Sequence, residues 1–174
     1  MNAIHNAVSD FSHCHEGIAQ QLDALARVPD WVQQAMAAQQ EAQRMLTFFD
    51  DVVLAHHSQE ENDLFPAVMQ WAQVGQESLT VRKMVDQLTE QHRAIEALWA
   101  KLAPMLKKVV KGQFERLDAQ CLQSLIERYR AHAAFEEQHF LPLAEQILWR
   151  DAAHMAGLGM ALHMREVRAP VPFI

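Results

Sequence analysis

The feature that most restricts how this chain can fold is an eleven-residue pattern written twice. A histidine, a glutamate four residues later and a proline ten residues later occur as His56, Glu60 and Pro66. They recur 76 positions on as His132, Glu136 and Pro142. A helix brings residues i and i+4 onto one face, one turn apart, so each copy can aim an imidazole and a carboxylate at one point. The same shift carries Leu46, Phe49, Val53 and Leu64 onto Leu122, Leu125, Tyr129 and Phe140. Upstream, a shift of 77 carries Ile4, Val8, Phe11, His15, Ile18, Leu22 and Leu25 onto Val81, Val85, Leu88, His92, Ile95, Trp99 and Leu102. The chain reads as one helical hairpin repeated. Two hairpins that must bury their stripes against each other are expected to form an all-α, up-down-up-down four-helix bundle.

The four helical patterns run from about Asn2 to Arg27, Trp31 to Phe65, Ser78 or Thr80 to Val110, and Leu117 to Leu148. Pro29-Asp30 is expected to break the first from the second, and Pro66 to kink or end the second. Gly75 and Gly112 close the second and third segments. The bundle is assigned to residues 1–148, with a C-terminal helix and tail, 149–174, packed on it. That last helix carries His154, Met155, Met160, His163 and Met164, a Met-rich amphipathic face suited to the bundle or to a second subunit in a homodimer.

Composition narrows the function classes. A formal charge of −7 argues against a nucleic-acid partner, which favours a basic face. No run approaches the ~18 apolar residues of a membrane span, and no basic stretch precedes an apolar run near Met1. Cys14 and Cys121 are too few and too far apart for a disulfide framework. A cytoplasmic protein without a membrane partner is the expectation. No phosphate loop, dinucleotide glycine pattern or Ser-His-Asp set is present.

The repeat chooses among neighbouring candidates for the chemistry. His57 corresponds to Ala133, so His56 is preferred; His13 corresponds to Glu90, whereas His15 corresponds to His92. Glu60 and Glu136 share the stripe of His56 and His132, while Glu61 and Glu137 sit about 100° around the helix and are read as flanking groups. The resulting set is His15, His56, Glu60, His92, His132 and Glu136, with one histidine on each helix. Carboxylates on an otherwise apolar stripe need a cation or a proton. Four imidazoles and two carboxylates suit borderline first-row metals and are too many for one tetrahedral ion. Two irons sharing the glutamates would leave open positions for a small ligand. Neutral imidazoles are required, so metal should be released below pH ~6. Tyr129, one turn before His132, and His139, two turns after it, are further candidates for supporting roles beside Glu61 and Glu137.

His15, the run His56-x-x-x-Glu60-Glu61-x-x-Leu64-Phe65-Pro66, His92, and His132-x-x-x-Glu136-Glu137 together resemble the hemerythrin-like (HHE cation-binding) family, from about Asp10 to Leu143. The resemblance implies a four-helix bundle holding two non-heme iron ions, oxo- or hydroxo-bridged, on those six residues. Oxygen carriers of the family have a further histidine along the third helix; here Leu88 and Glu96 flank His92 one turn away. The four-His, two-Glu set is more similar to the bacterial branch, which includes proteins linked to nitric oxide responses and iron–sulfur repair. The function implied is binding or redox handling of oxygen or nitric oxide as a sensor, scavenger or store. The alternative is an enzyme with an electron donor: iron–sulfur centre repair, nitric oxide reduction or a peroxidase-like reaction.

Overall fold

A computed structural model describes residues 2–150, with side chains from residue 14 onward. Its regular elements are all helical: α1 (Asn2–Ala26), α2 (Val28–Phe48), α3 (Leu54–Gln59), α4 (Phe65–Trp71), α5 (Gln76–Val110), α6 (Ala119–Phe135) and α7 (Leu141–Leu148). Single π turns at Phe49–Val53, Glu60–Leu64 and Glu136–Phe140 join α2 to α3, α3 to α4 and α6 to α7. The rod α2–α3–α4, the helix α5 and the rod α6–α7 therefore form three antiparallel legs, with α5 packed against both rods. No described helix is long and apolar enough to cross a membrane.

The turns have local chemical causes. Gly75, at φ 119°, occupies backbone space that an L side chain rarely enters, and its N–H donates to Ser78 Oγ (3.3 Å) at the start of α5. Gly112, at φ 74°, ends α5: its N–H donates to the Val109 carbonyl and the Gln113 N–H to that of Lys108, a Schellman closure. Asp118 caps α6 by accepting the Cys121 N–H at 2.9 Å. Pro66 and Pro142 end nothing. Each is the second residue after a π turn, at whose end the Phe65 N–H reaches the Glu60 carbonyl and the Leu141 N–H the Glu136 carbonyl. The helix widens by one residue just where the missing proline N–H would break the ladder, and then resumes.

Two apolar clusters fill the space between the legs. One contains Leu46, Phe49, Val53, Ile95, Trp99, Leu102 and Leu125, with Phe49 stacked on Trp99 at 4.0 Å. The other contains Leu64, Phe65, Val68, Val81, Val85, Leu88, Phe140, Ala144, Ile147 and Leu148. Fully burying such a side chain contributes about 1.5–3 kcal/mol. Between Val53 and Leu64, Leu88 and Ile95, and Leu125 and Phe140, the buried positions turn polar: His57, Glu60, His92, His132 and Glu136.

The expected four-helix count is not what the described residues form. Pro29-Asp30 does not reverse the chain: Arg27, the one residue between α1 and α2, stays in the right-handed region at φ −87°, ψ −11°, and its carbonyl accepts the Trp31 N–H. Antiparallel helices need a loop of about two to five residues, and none is present here. Helix α1 consequently runs on from α2, and Ile18, Leu22 and Leu25 are exposed. The proposed C-terminal helix lies outside the described residues.

Candidate metal centre

All three legs contribute to the polar layer. The rod α2–α3–α4 supplies His56, His57 and Glu60, α5 supplies His92, and α6 with its π turn supplies His132 and Glu136. Two groups of potential ligand atoms form, each with members within 4.8 Å of one another: His57, His92 and His132, and His56, Glu60 and Glu136. Glu60 joins the groups, its carboxylate lying 3.2 Å from His92 Nε2 and 3.4 Å from His56 Nε2. On the other rod, His132 Nε2 lies 3.8 Å from Glu136.

Each of the three buried histidines has its Nδ1 held by an outer oxygen. His57 Nδ1 donates to Glu96 Oε1 at 3.1 Å, His92 Nδ1 to Glu61 Oε1 at 2.8 Å and His132 Nδ1 to Gln91 Oε1 at 3.2 Å. A carboxylate or amide oxygen only accepts, so in a neutral ring the proton sits on Nδ1 and the Nε2 lone pair is free. All three Nε2 atoms, and both oxygens of Glu60, are buried without a hydrogen-bond partner. Native interiors rarely leave such atoms unsatisfied. Imidazole nitrogens and a carboxylate gathered in an apolar shell are the donor types of a first-row metal site. Outer oxygens fixing each ring are the support such ligands ordinarily have.

Electrostatics separate the three rings. Burial, and then the neighbouring His92, hold His57 below the usual histidine range and bring His132 down to about 4, which keeps both rings neutral. Burial also acts against charge on His92, but Glu60 and Glu61 outweigh it and raise that ring. Burial and the adjacent Glu60 push Glu136 up. Glu60 is held down against its own burial by His92, Glu136 and His56, so the two carboxyls are driven in opposite directions.

Of the six ligands expected from the repeat, the fold brings His56, Glu60, His92, His132 and Glu136 together. His15 is exposed on α1 and belongs to neither group. His56 is itself 45% exposed, so the centre is open on that side. Glu61 supports His92, and it also pairs with Arg93. Glu137 and His139 are exposed, with His139 against Phe135, and the half-buried Tyr129 faces His132 at 6.0 Å between ring centres.

The residue that the repeat discarded, His57, is 1% exposed and lies at the heart of the layer. The π turn at Phe49–Val53 has no counterpart in α6, which runs unbroken from Ala119 to Phe135. The 76-residue correspondence still holds for Glu60 with Glu136 and Leu64 with Phe140, all buried, but not for His57, which is buried where Ala133 is half-buried. The spacing itself carried a usable signal, because His57 and Glu60 are i and i+3 and also share a face.

The family model described as Hemerythrin HHE cation binding domain matches residues 6–144. An uncharacterized protein of Haemophilus influenzae is 26% identical over 150 residues, covering 82% of this chain and 84% of its own. No solved structure matches.

Proposed function

The chain belongs to the hemerythrin HHE cation-binding family, and from that premise we propose that it holds two non-heme iron ions and binds or redox-handles a small diatomic ligand, oxygen or nitric oxide, as a sensor, scavenger or store. The observation that supports this reading most is the set of buried, unpartnered Nε2 atoms of His57, His92 and His132 around the uncapped Glu60 carboxylate. A bound iron pair would supply open coordination positions and reversible one-electron chemistry.

The chain's own residues do the rest. Glu60, grouped with His56 and Glu136 and also 3.2 Å from His92 Nε2, would be a ligand shared by the two irons, with Glu136 as the second carboxylate. The apolar clusters on either side keep bulk water from the buried ligands. The exposed edge at His56 is the entry for a ligand of two atoms. His15 belongs to this reading as the remaining ligand for that edge. It lies 41 residues before His56, about 60 Å along a straight helix, so it reaches its own centre only if the chain bends back near Arg27–Pro29.

The test is iron per chain together with an optical spectrum, before and after oxygen, azide and nitric oxide. About two irons per chain, with charge-transfer bands that respond to those ligands, is the expected result. A chain that takes up no iron, or a single zinc indifferent to all three ligands, overturns the reading.

A further inference from the structure

We propose that His57 is a metal ligand, donating its Nε2 to a three-histidine subsite with His92 and His132, beside a second, carboxylate-rich subsite of His56, Glu60 and Glu136. The inference rests on the reading of this layer as a metal centre and gives the two halves of that centre different chemistry.

Three observations carry it. His57 is 1% exposed and its Nε2 has no hydrogen-bond partner, whereas the adjacent His56 is 45% exposed. A buried histidine serving only the packing would pair both nitrogens. One ring nitrogen from each of His57, His92 and His132 lies within 4.8 Å of the other two, close enough for one ion to gather the three side chains. His57 is also held from behind: Glu96 accepts its Nδ1–H and is itself bound by Arg93 at 2.8 Å. Arg93 reaches Glu61 as well, which accepts the Nδ1–H of His92. One arginine thus braces the carboxylates that orient two of the three rings.

The rings of His57 and His92 are stacked, with centroids 3.9 Å apart and planes 7° from parallel. Donation to a common ion requires the planes to open, because each lone pair lies in its own ring plane. The ring of His132, at 70–74° to both, already approaches from a different direction. Three neutral imidazoles suit a borderline divalent ion, while two carboxylates and one imidazole favour a harder or more highly charged one. The pair is therefore inequivalent.

The test is a cobalt(II) titration of the metal-stripped full chain, read through the visible bands that report the donor set. The wild-type chain should bind two cobalt ions in separable phases. His57→Gln and His57→Ala should weaken one phase at least tenfold and alter its bands, and His56→Ala should weaken the other. Glu96→Ala leaves the ring in place at a half-buried position and should weaken the His57 phase by about 10–100-fold. Far-UV circular dichroism before metal addition establishes that each variant is folded. If the His57 variants and Glu96→Ala keep wild-type stoichiometry, affinity and bands, the His57 assignment is overturned while the metal centre stands. If the wild-type chain binds no cobalt, the metal reading itself falls and this inference with it.

Discussion

Glu61 Oε1 accepts the Nδ1–H of His92 at 2.8 Å, from the neighbouring leg of the fold. The residue 76 positions later, Glu137, is exposed instead. Two glutamates that look equivalent along the chain are thus set apart by what surrounds them. Glu61→Ala should free the His92 ring and lower metal affinity about 10–100-fold, with Glu137→Ala close to wild type. Metal titration of both variants decides it, and equal effects would remove any special role for Glu61.

His15 tests the open edge. With the chain bent back near Arg27–Pro29, as a ligand role for His15 requires, His15→Ala should weaken metal at the subsite that contains His56 and leave the other untouched; with α1 running straight on from α2 it should change neither. A two-phase cobalt titration with far-UV circular dichroism reads both. Unchanged affinity in both phases would remove His15 from the ligand set.

Below the polar layer, Phe65 and Phe140 meet edge to face with centroids 5.1 Å apart, both essentially inaccessible to solvent. Such a pair adds about 0.5–1.5 kcal/mol to its burial. Phe140→Ala should destabilise the metal-free chain by about 3–5 kcal/mol, through lost burial and the cavity left behind. Urea unfolding would show a lowered midpoint with an unchanged slope. A loss below ~1 kcal/mol would mean that the cluster collapses to fill the space.

The tie between Glu77 and Arg150 sets an acid limit on one end of the molecule. Both Arg150 nitrogens donate to the Glu77 carboxylate, at 2.5 and 2.7 Å, and join the start of α5 to the residues after α7. Arg150, and then the Gln73 N–H, hold Glu77 at about 2. A carboxyl whose pKa is lower folded than unfolded stabilises the fold above its unfolded value, near 4.5, and loses that contribution as pH falls through about 2. Tm of the wild type should therefore fall more steeply than that of Arg150→Ala between pH 4.5 and 2. The difference should be small, because an ion pair in contact with water is screened. Parallel melting curves across that range would refute the link.

Much of this was legible along the chain. Helical periodicity, sparse glycine and proline, and the doubled His-x-x-x-Glu pattern point to an all-helical protein of this family, because they reflect local rules that each segment obeys alone. The polar layer was legible too, since carboxylates on an apolar stripe demand a partner wherever the stripe is buried. Two things were not. The burial of His57 beside the exposed His56 was one, because the repeat pairs His57 with an alanine. Both i+3 and i+4 spacings to Glu60 satisfy a helix, so only the packed phase of that rod separates them. The path of α1 was also undetermined. Pro29-Asp30 reads as a break, yet a proline in the first turn of a helix costs no hydrogen bond, and the chain continues through it. Periodicity assigns each residue a face. Which face meets which partner depends on turn phase and on contacts between distant segments, and these exist only once the legs have packed.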